Sequence, residues 1–210
     1  MPLEFLLSAL VTLLVILDPV GIAPTFLSVT DGLSARHRRT VAARASLIAG
    51  AILIGTALIG DWLLRQLGIT LPAFRIAGGL LLFAVAAEMV LGVRIQRTTK
   101  DAEEAAAEEH LHNVAAFPLA FPMLAGPGAI TATILLAGQA AYRPVWLGIL
   151  IGVVVVALAA CFVCFLAAGR IGKLLGRTGN VVLSRLLGVV LAALAVQYVV
   201  DGVRTAFGLG

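Results

Sequence analysis

Long apolar segments separated by short polar loops dominate the pattern of this chain. A helix needs about 20 apolar residues to cross the hydrocarbon core of a bilayer. Six stretches reach that length, at roughly Leu3–Val29, Val41–Leu64, Leu71–Gly92, Val114–Gly138, Val145–Ala168 and Val181–Val203. The pattern therefore predicts an all-α, polytopic membrane protein with six transmembrane helices.

Proline and glycine interrupt the first and the fourth of these stretches. The first contains the run DPVGIAP at 18–24, and the fourth contains AGPGAIT at 125–131. Backbone polar groups in a bilayer core find no water, so such breaks survive only where they face protein or a polar cavity. We expect each stretch to be two half-helices or a re-entrant hairpin, and the two breaks to form a site.

Asp18 is the ionisable residue of these two runs, and such a residue inside a membrane segment is by default a functional candidate. It could couple a cation or proton, contact a substrate amine, or cap the half-helix that follows, with Pro19 in its first position. The hydroxyls of Thr131 and Thr133 either line the site or bond back to their own helix. The predicted substrate- or ion-binding residues are Asp18, Pro19, Gly21, Pro24, Gly126, Pro127, Gly128 and Thr131.

The loops carry an uneven charge. Eleven of the 15 Lys and Arg residues lie in or beside the loops that follow the first, third and fifth stretches, and four lie on the other side. Basic loops remain in the cytoplasm under the positive-inside rule. We therefore expect both termini to lie outside the cytoplasm.

The two halves of the chain align weakly with each other. Pro19 corresponds to Pro127 at an offset of 108, and Arg75–Gly78 corresponds to Arg185–Gly188 at an offset of 110. Each half holds three predicted spans, and an odd number forces the second half to enter the membrane from the opposite side. Inverted repeats with corresponding interrupted helices are typical of secondary transporters.

The repeats define the expected domain organisation. Residues 1–100 form the first three-helix repeat, 101–113 a cytoplasmic linker and 114–210 the second repeat, all within one membrane domain. The linker is rich in alanine and acidic residues and also holds His110 and His112. No ligand spacing singles out a metal site there, so we expect a solvated linker.

Two short motifs invite a specific interpretation. Cys161 and Cys164 form a C-x-x-C pattern, which can mark a redox or metal site. With no His or acidic residue nearby in the sequence, we expect both cysteines to be packing residues. Gly148 and Gly152 form a GxxxG motif, which predicts a close-packing helix face.

Composition excludes several classes of protein. Of the 210 residues, 61% are hydrophobic and 12% charged, whereas soluble domains have about 25% charged residues. There is no basic stripe with interleaved aromatics for nucleic-acid binding. Metal, nucleophile-elbow and phosphate-loop motifs are absent from the sequence, so we expect neither an enzyme nor a resident cofactor. The N-terminus lacks the positive region of a cleavable signal, so the first segment should remain.

Several motifs together resemble the MarC family of inner-membrane proteins. They are the run LDPVGIAPTF at 17–26, the loop at 34–40, RIAGG at 75–79, and PLAFPMLAGPGAIT at 118–131. The resemblance implies six spans and an inner-membrane location. Some relatives, of the SnatA type, are described as transporters of small neutral amino acids such as alanine and glycine. The broader LysE superfamily also includes thiol-disulfide carriers with cysteines at the breaks, and this chain has none there.

The function that this evidence favours is secondary transport of small neutral amino acids by alternating access. A half-helix N-terminus can receive a substrate carboxylate, and a half-helix C-terminus can receive an ammonium group or a cation. Coupling to H⁺ or to Na⁺ is equally compatible with the sequence. The alternatives are an exporter of another small metabolite or drug, and a membrane scaffold or assembly protein that transports nothing.

Overall fold

Helices make up nearly all of the structure, a computed structural model that describes residues 2–92, 114–140 and 143–208. No strand occurs among these residues. The helices are α1 Pro2–Leu17, α2 Ala23–Val29, α3 Ala35–Gln66, α4 Leu71–Leu91, α5 Ala115–Leu124, α6 Pro127–Gln139, α7 Pro144–Leu174 and α8 Thr178–Ala206. The predicted all-α class is confirmed, and the predicted linker at 101–113 lies outside the described residues.

The lengths of the helices bear on how many cross the membrane. Four of them, α3, α4, α7 and α8, are long and apolar enough to span a bilayer. Helices α5 and α6 qualify as one span bent by 57°, and α1 is a shorter apolar helix. The described residues therefore contain four or five candidate spans by length and composition, and the chain is a multi-pass membrane protein.

Both predicted interruptions are present. Helix α1 ends at Leu17 and α2 begins at Ala23, while α5 and α6 are separated at 125–126. Within α5, Phe117 and Phe121 have extended backbone angles, because a residue that precedes proline is pushed away from the helical region. Local sequence chemistry therefore determines where the helices break.

Helices α4 and α8 pack closely and antiparallel through glycine. A methyl group added at Gly79 would lie 2.7 Å from the carbonyl oxygen of Ala195, and one added at Gly188 would lie 2.8 Å from Cβ of Met89. Residues further along α4 therefore meet residues nearer the start of α8. Small residues allow two backbones to approach in a membrane, where dispersion contacts between helices replace the hydrophobic effect.

The GxxxG motif of α7 makes no close contact within the described chain, contrary to the packing face expected there. A methyl group added at Gly148 or Gly152 would find no described atom within 4 Å. The motif permits a close approach but does not supply a partner, and the glycines that make close contacts lie on α4 and α8 instead.

Helix α6 lies at the centre of the bundle. Nine of its 13 residues are buried, including Gly128, Thr131 and Leu136. Helices α3 and α4 approach α6 closely through glycines. A methyl group added at Gly60 of α3 would meet the side chain of Ile134, and one added at Gly78 of α4 would meet that of Thr131. A helix that is apolar all round is expected in such a position.

Candidate functional site

Asp18 occupies the first break and is buried, with 4% of its surface exposed. Its φ of +45° lies in the left-handed region, where residues other than glycine are uncommon but Asp and Asn are enriched. Unusual backbone of this kind collects at functional sites, where surrounding structure holds it in place.

The Asp18 side chain caps the turn that forms the first break. Its Oδ1 accepts a hydrogen bond from the backbone N–H of Gly21 at 3.0 Å, and its carbonyl accepts from the N–H of Ile22 at 3.1 Å. Helix α2 begins only at Ala23, with Ile22 in its N-cap position and no side-chain cap. The prediction that Asp18 caps the following half-helix, with Pro19 in its first position, is therefore wrong, because the carboxylate closes the turn at 19–22 instead.

Gly21 leaves room for this carboxylate. A methyl group added at Gly21 would overlap the Asp18 carboxyl group. The glycine in the run DPVGIAP is therefore required by the close approach of a side chain three residues earlier.

The second oxygen of Asp18 bonds to the other half of the chain. Ser184 of α8 donates its hydroxyl to Asp18 Oδ2 at 2.9 Å, and both groups are buried. Ser184 is not among the residues predicted from the sequence, because a single serine in an apolar helix does not indicate a site. Its one signal is the spacing of four residues from Asn180, which places two polar residues on one face of the helix.

Asn180 is also buried, with 6% of its surface exposed. Its Oδ1 has no hydrogen-bond partner among the described residues. Buried polar atoms are nearly always partnered in proteins, so an unpartnered one calls for a physical explanation.

The two cysteines lie beside this group. Cys161 of α7 is buried and Cys164 is half-buried, both as free thiols. Both lie in the neighbourhood of Asp18. The expected packing role agrees with the burial of Cys161 in the core, but the proximity of the thiols to the break was not predicted.

Asp18 lies towards one end of the helical bundle. Helix α1 has 16 residues, so it is about 24 Å long, most of a hydrocarbon core of about 30 Å. Ser184 lies only six residues after the start of α8. Asp18 is therefore nearer the basic end of the bundle, defined here as the end where α3 begins with Arg36, Arg38 and Arg39.

The second break is shaped by backbone alone. Gly126 occupies the N-cap position of α6 with extended backbone (φ −74°, ψ 171°), Pro127 follows in the first turn, and no side chain caps the helix. The Gly126 carbonyl accepts from Ile130 N–H at 3.0 Å. A methyl group at Gly126 would overlap the carbonyl oxygen of Pro122, so glycine is required here too.

The two breaks lie side by side. A methyl group added at Gly128 would be 3.7 Å from Cγ2 of Ile16 and 3.4 Å from Cδ2 of Leu82. Ile16 precedes Asp18 by two residues. The structure therefore places Gly128 of the second break against the last turn of α1, two residues before Asp18.

The remaining predicted residues differ in exposure. Pro19 and Pro24 are half-buried and Pro127 is exposed. Thr131 is buried, and its methyl group faces Gly78. Of the two threonines, Thr133 bonds back to the carbonyl of Ala129 at 2.7 Å, so the structural alternative holds for that residue.

A separate cavity of about 340 Å³ lies between α3, α6 and α7, towards the end opposite the basic end. Asp61 and Arg143 line it together with small apolar residues. Asp61 also pairs with Arg65 at 3.0 Å, and the Arg143 guanidinium lies 5.2 Å from the centre of the Trp146 ring. This cavity offers one negative and one positive group at some distance from the breaks.

Comparison with known proteins identifies the family. The family described as "MarC family integral membrane protein" matches residues 3–207. A UPF0056 membrane protein of Methanocaldococcus jannaschii is 36% identical over 207 residues, covering 98% of this chain and 99% of the relative. One from Aquifex aeolicus is 36% identical over 203 residues, covering 94% and 91%. The UPF0056 membrane protein YhcE of Escherichia coli is 31% identical over 195 residues, covering 93% and 90%.

No solved structure matches this chain. The assignment therefore depends on sequence similarity that extends over nearly the whole length, together with apolar helices long enough to cross a bilayer. The motifs at both helix breaks fall within the matched region. This chain belongs to the MarC family of integral membrane proteins.

Proposed function

We propose that this protein is a secondary transporter of small neutral amino acids, of the alanine and glycine class, that works by alternating access at the two helix breaks. The observation that carries the proposal is the meeting of the breaks. Gly128 packs against Ile16, and the buried carboxylate of Asp18 is held between the two halves by Ser184.

The helix ends at the breaks suit a zwitterion. Helix α6 begins at Pro127 without a side-chain cap, so its first turn presents backbone N–H groups and the positive end of the helix dipole to a carboxylate. Helix α1 ends beside Asp18, where its negative dipole end and the carboxylate favour a cation or an ammonium group. Transporters with broken helices place substrate and coupling ions at such ends.

The contacts of α4 with α8 support inverted repeats. Gly79 meets Val199, and Gly188 meets Met89. The two halves of the sequence align at an offset of 110 residues. Met89 and Val199 are separated by this offset, and the separation of Gly79 and Gly188 differs from it by one residue. Inverted repeats are related by a two-fold axis in the membrane plane. Such an axis, exchanging residues at this offset, would convert one of these two contacts into the other.

The full topology belongs to this proposal. Six spans result when α1 with α2 forms the first and α5 with α6 forms the fourth. The basic end then faces the cytoplasm of the cell, both termini lie outside, and the membrane is the inner membrane. The cavity lined by Asp61 and Arg143 would open outwards and could admit a zwitterion from that side.

Uptake into proteoliposomes tests the proposal. Labelled alanine and glycine are supplied with imposed H⁺ or Na⁺ gradients to the unmodified protein, Asp18→Asn and Asp31→Asn. Asp31 is an exposed loop carboxylate, so it is a matched control for loss of one charge. We expect gradient-dependent uptake that Asp18→Asn abolishes and Asp31→Asn preserves.

Absence of uptake under either gradient, with folded and correctly inserted protein, would contradict the proposal. Counterflow from preloaded vesicles and thermal stabilisation by candidate solutes then separate the two other functions. An exporter of another metabolite would respond to some solute, whereas a scaffold would respond to none.

A further inference from the structure

Two neutral groups donate hydrogen bonds to the carboxylate of Asp18. In the described part of the chain it bonds to the N–H of Gly21 and the hydroxyl of Ser184. No described Lys, Arg or His side chain pairs with it. Burying a carboxylate among neutral groups is unfavourable, so a site of this kind favours binding of a cation.

Asn180 supplies an independent observation. Its Oδ1 is buried without a donor among the described residues, which is unfavourable for an oxygen that has lost its hydration. Residues four apart on a helix lie on the same face, so this oxygen is one turn from the Ser184 hydroxyl that contacts Asp18. An amide oxygen without a hydrogen-bond donor can coordinate a hard cation.

The surrounding groups also favour positive charge. The Ser184 hydroxyl donates to Asp18 and keeps lone pairs for a ligand. The carbonyl end of α1, which stops at Leu17, adds the negative end of its helix dipole at the same point. The carboxylate of the first half and the hydroxyl of the second therefore meet at one buried position, one helical turn from Asn180.

We propose that Asp18, Ser184 and Asn180 form a binding site for a monovalent cation of the Na⁺ class, at the junction of the two halves. A single carboxylate combined with neutral oxygens suits a charge of +1, whereas tight divalent sites collect several carboxylates. The oxygen ligands match Na⁺ in hardness. The site is distinct from the first turn of α6, which stays available for a substrate carboxylate.

The role of this cation in transport rests on the proposed function, but its binding does not. A cation held by Asp18 of the first half and by Asn180 and Ser184 of the second would stabilise the arrangement in which these elements meet. The bound cation would thereby favour one conformation of the protein. A second ligand that prefers the same conformation binds more tightly when the cation is present.

Thermal unfolding of the purified protein in detergent tests the site without any transport assay. NaCl is titrated against choline chloride at constant ionic strength. We expect Na⁺ to raise Tm in a saturable manner by about 3–6 °C. Asn180→Leu should abolish this rise while retaining basal stability, because it removes the unpartnered oxygen and conserves volume. Asp18→Asn should also abolish it.

Thr56→Ala is the control, because the Thr56 hydroxyl bonds only to its own helix, at Leu53, on α3. This variant should keep the full response to Na⁺. Direct binding of radioactive Na⁺ to the same variants provides a second measurement, which remains informative if a variant has altered stability.

Three results would overturn the cation site. The first is that Na⁺ stabilises the protein no more than choline does, and the second is that Asn180→Leu keeps the response to Na⁺. The third is stabilisation by another ligand. Stabilisation by acid, or by alanine without Na⁺, would assign Asp18 to a proton or to the substrate ammonium group. Failure of amino acid uptake with intact Na⁺ binding would refute the proposed function alone, and uptake driven by H⁺ without Na⁺ binding would refute the cation site alone.

Discussion

Ser184 and Asp18 are joined by a buried hydrogen bond of 2.9 Å across 166 residues of sequence. The bond links the break that follows α1 to the beginning of α8, and so joins the first half of the chain to the second. Because Asp18 also caps the turn through Gly21, one carboxylate determines both the local shape of the break and its attachment to the bundle.

Replacing Ser184 with alanine should weaken this attachment. The Asp18 Oδ2 would lose a donor in a buried setting, so we expect a loss of about 1–2 kcal/mol in the free energy of unfolding. Thermal unfolding measures the loss, and Ser184→Thr, which keeps a hydroxyl, should recover part of it. Equal stability of Ser184→Ala and the unmodified protein would show that the bond contributes nothing.

Two substitutions of Asp18 should separate its capping role from its charge. Asparagine caps helices and tolerates a positive φ, so Asp18→Asn should stay within about 1 kcal/mol of the unmodified stability while losing transport. Asp18→Ala removes the cap and both hydrogen bonds, and should cost about 2 kcal/mol or more. If Asp18→Asn and Asp18→Ala lower the unfolding temperature of the unmodified protein by the same amount, the stability depends on the charge of Asp18 and not on its capping.

Gly21→Ala should displace the Asp18 carboxylate, because the added methyl group would overlap it. We expect a destabilisation of about 1–3 kcal/mol and loss of uptake. Gly55→Ala on α3 is the matched control, since its methyl group would meet no described atom within 4 Å. Alanine also favours a helix over glycine by about 0.5–1 kcal/mol, so the control should be neutral or stabilising. A tolerated Gly21→Ala would contradict the geometry of the break.

Gly79→Ala should separate α4 from α8. The new methyl group would lie 2.7 Å from a backbone oxygen of Ala195, and backbone cannot rotate aside as a side chain can. We expect a cost of about 1–3 kcal/mol in thermal unfolding. Gly148→Ala, in the open GxxxG motif, should be neutral in the monomer. A larger loss at Gly148 than at Gly79 would restore that motif as the packing face.

Local chemistry made several features predictable. Closely spaced prolines and glycines interrupt the apolar stretches at 18–24 and 125–131, as predicted, whereas single glycines such as Gly79 lie within continuous helices. The Asp-Pro pair predicted a capping role for Asp18, but the capped turn lies at 19–22 and α2 begins after it without a side-chain cap. The partner of Asp18 was not predictable from its place in a stretch of apolar residues, because Ser184 lies 166 residues away in the chain.

The sequence by itself determined the helical class, the apolar segments, the two breaks and the family, because each depends on residues close together in the chain or on a motif of fixed spacing. Tertiary structure alone decided that the breaks meet, that α4 and α8 pack through glycine, and that Ser184 bonds to Asp18. Those contacts join residues from distant parts of the chain, and the hydrophobicity pattern of a membrane helix shows only that it faces lipid or protein, not which helix it meets.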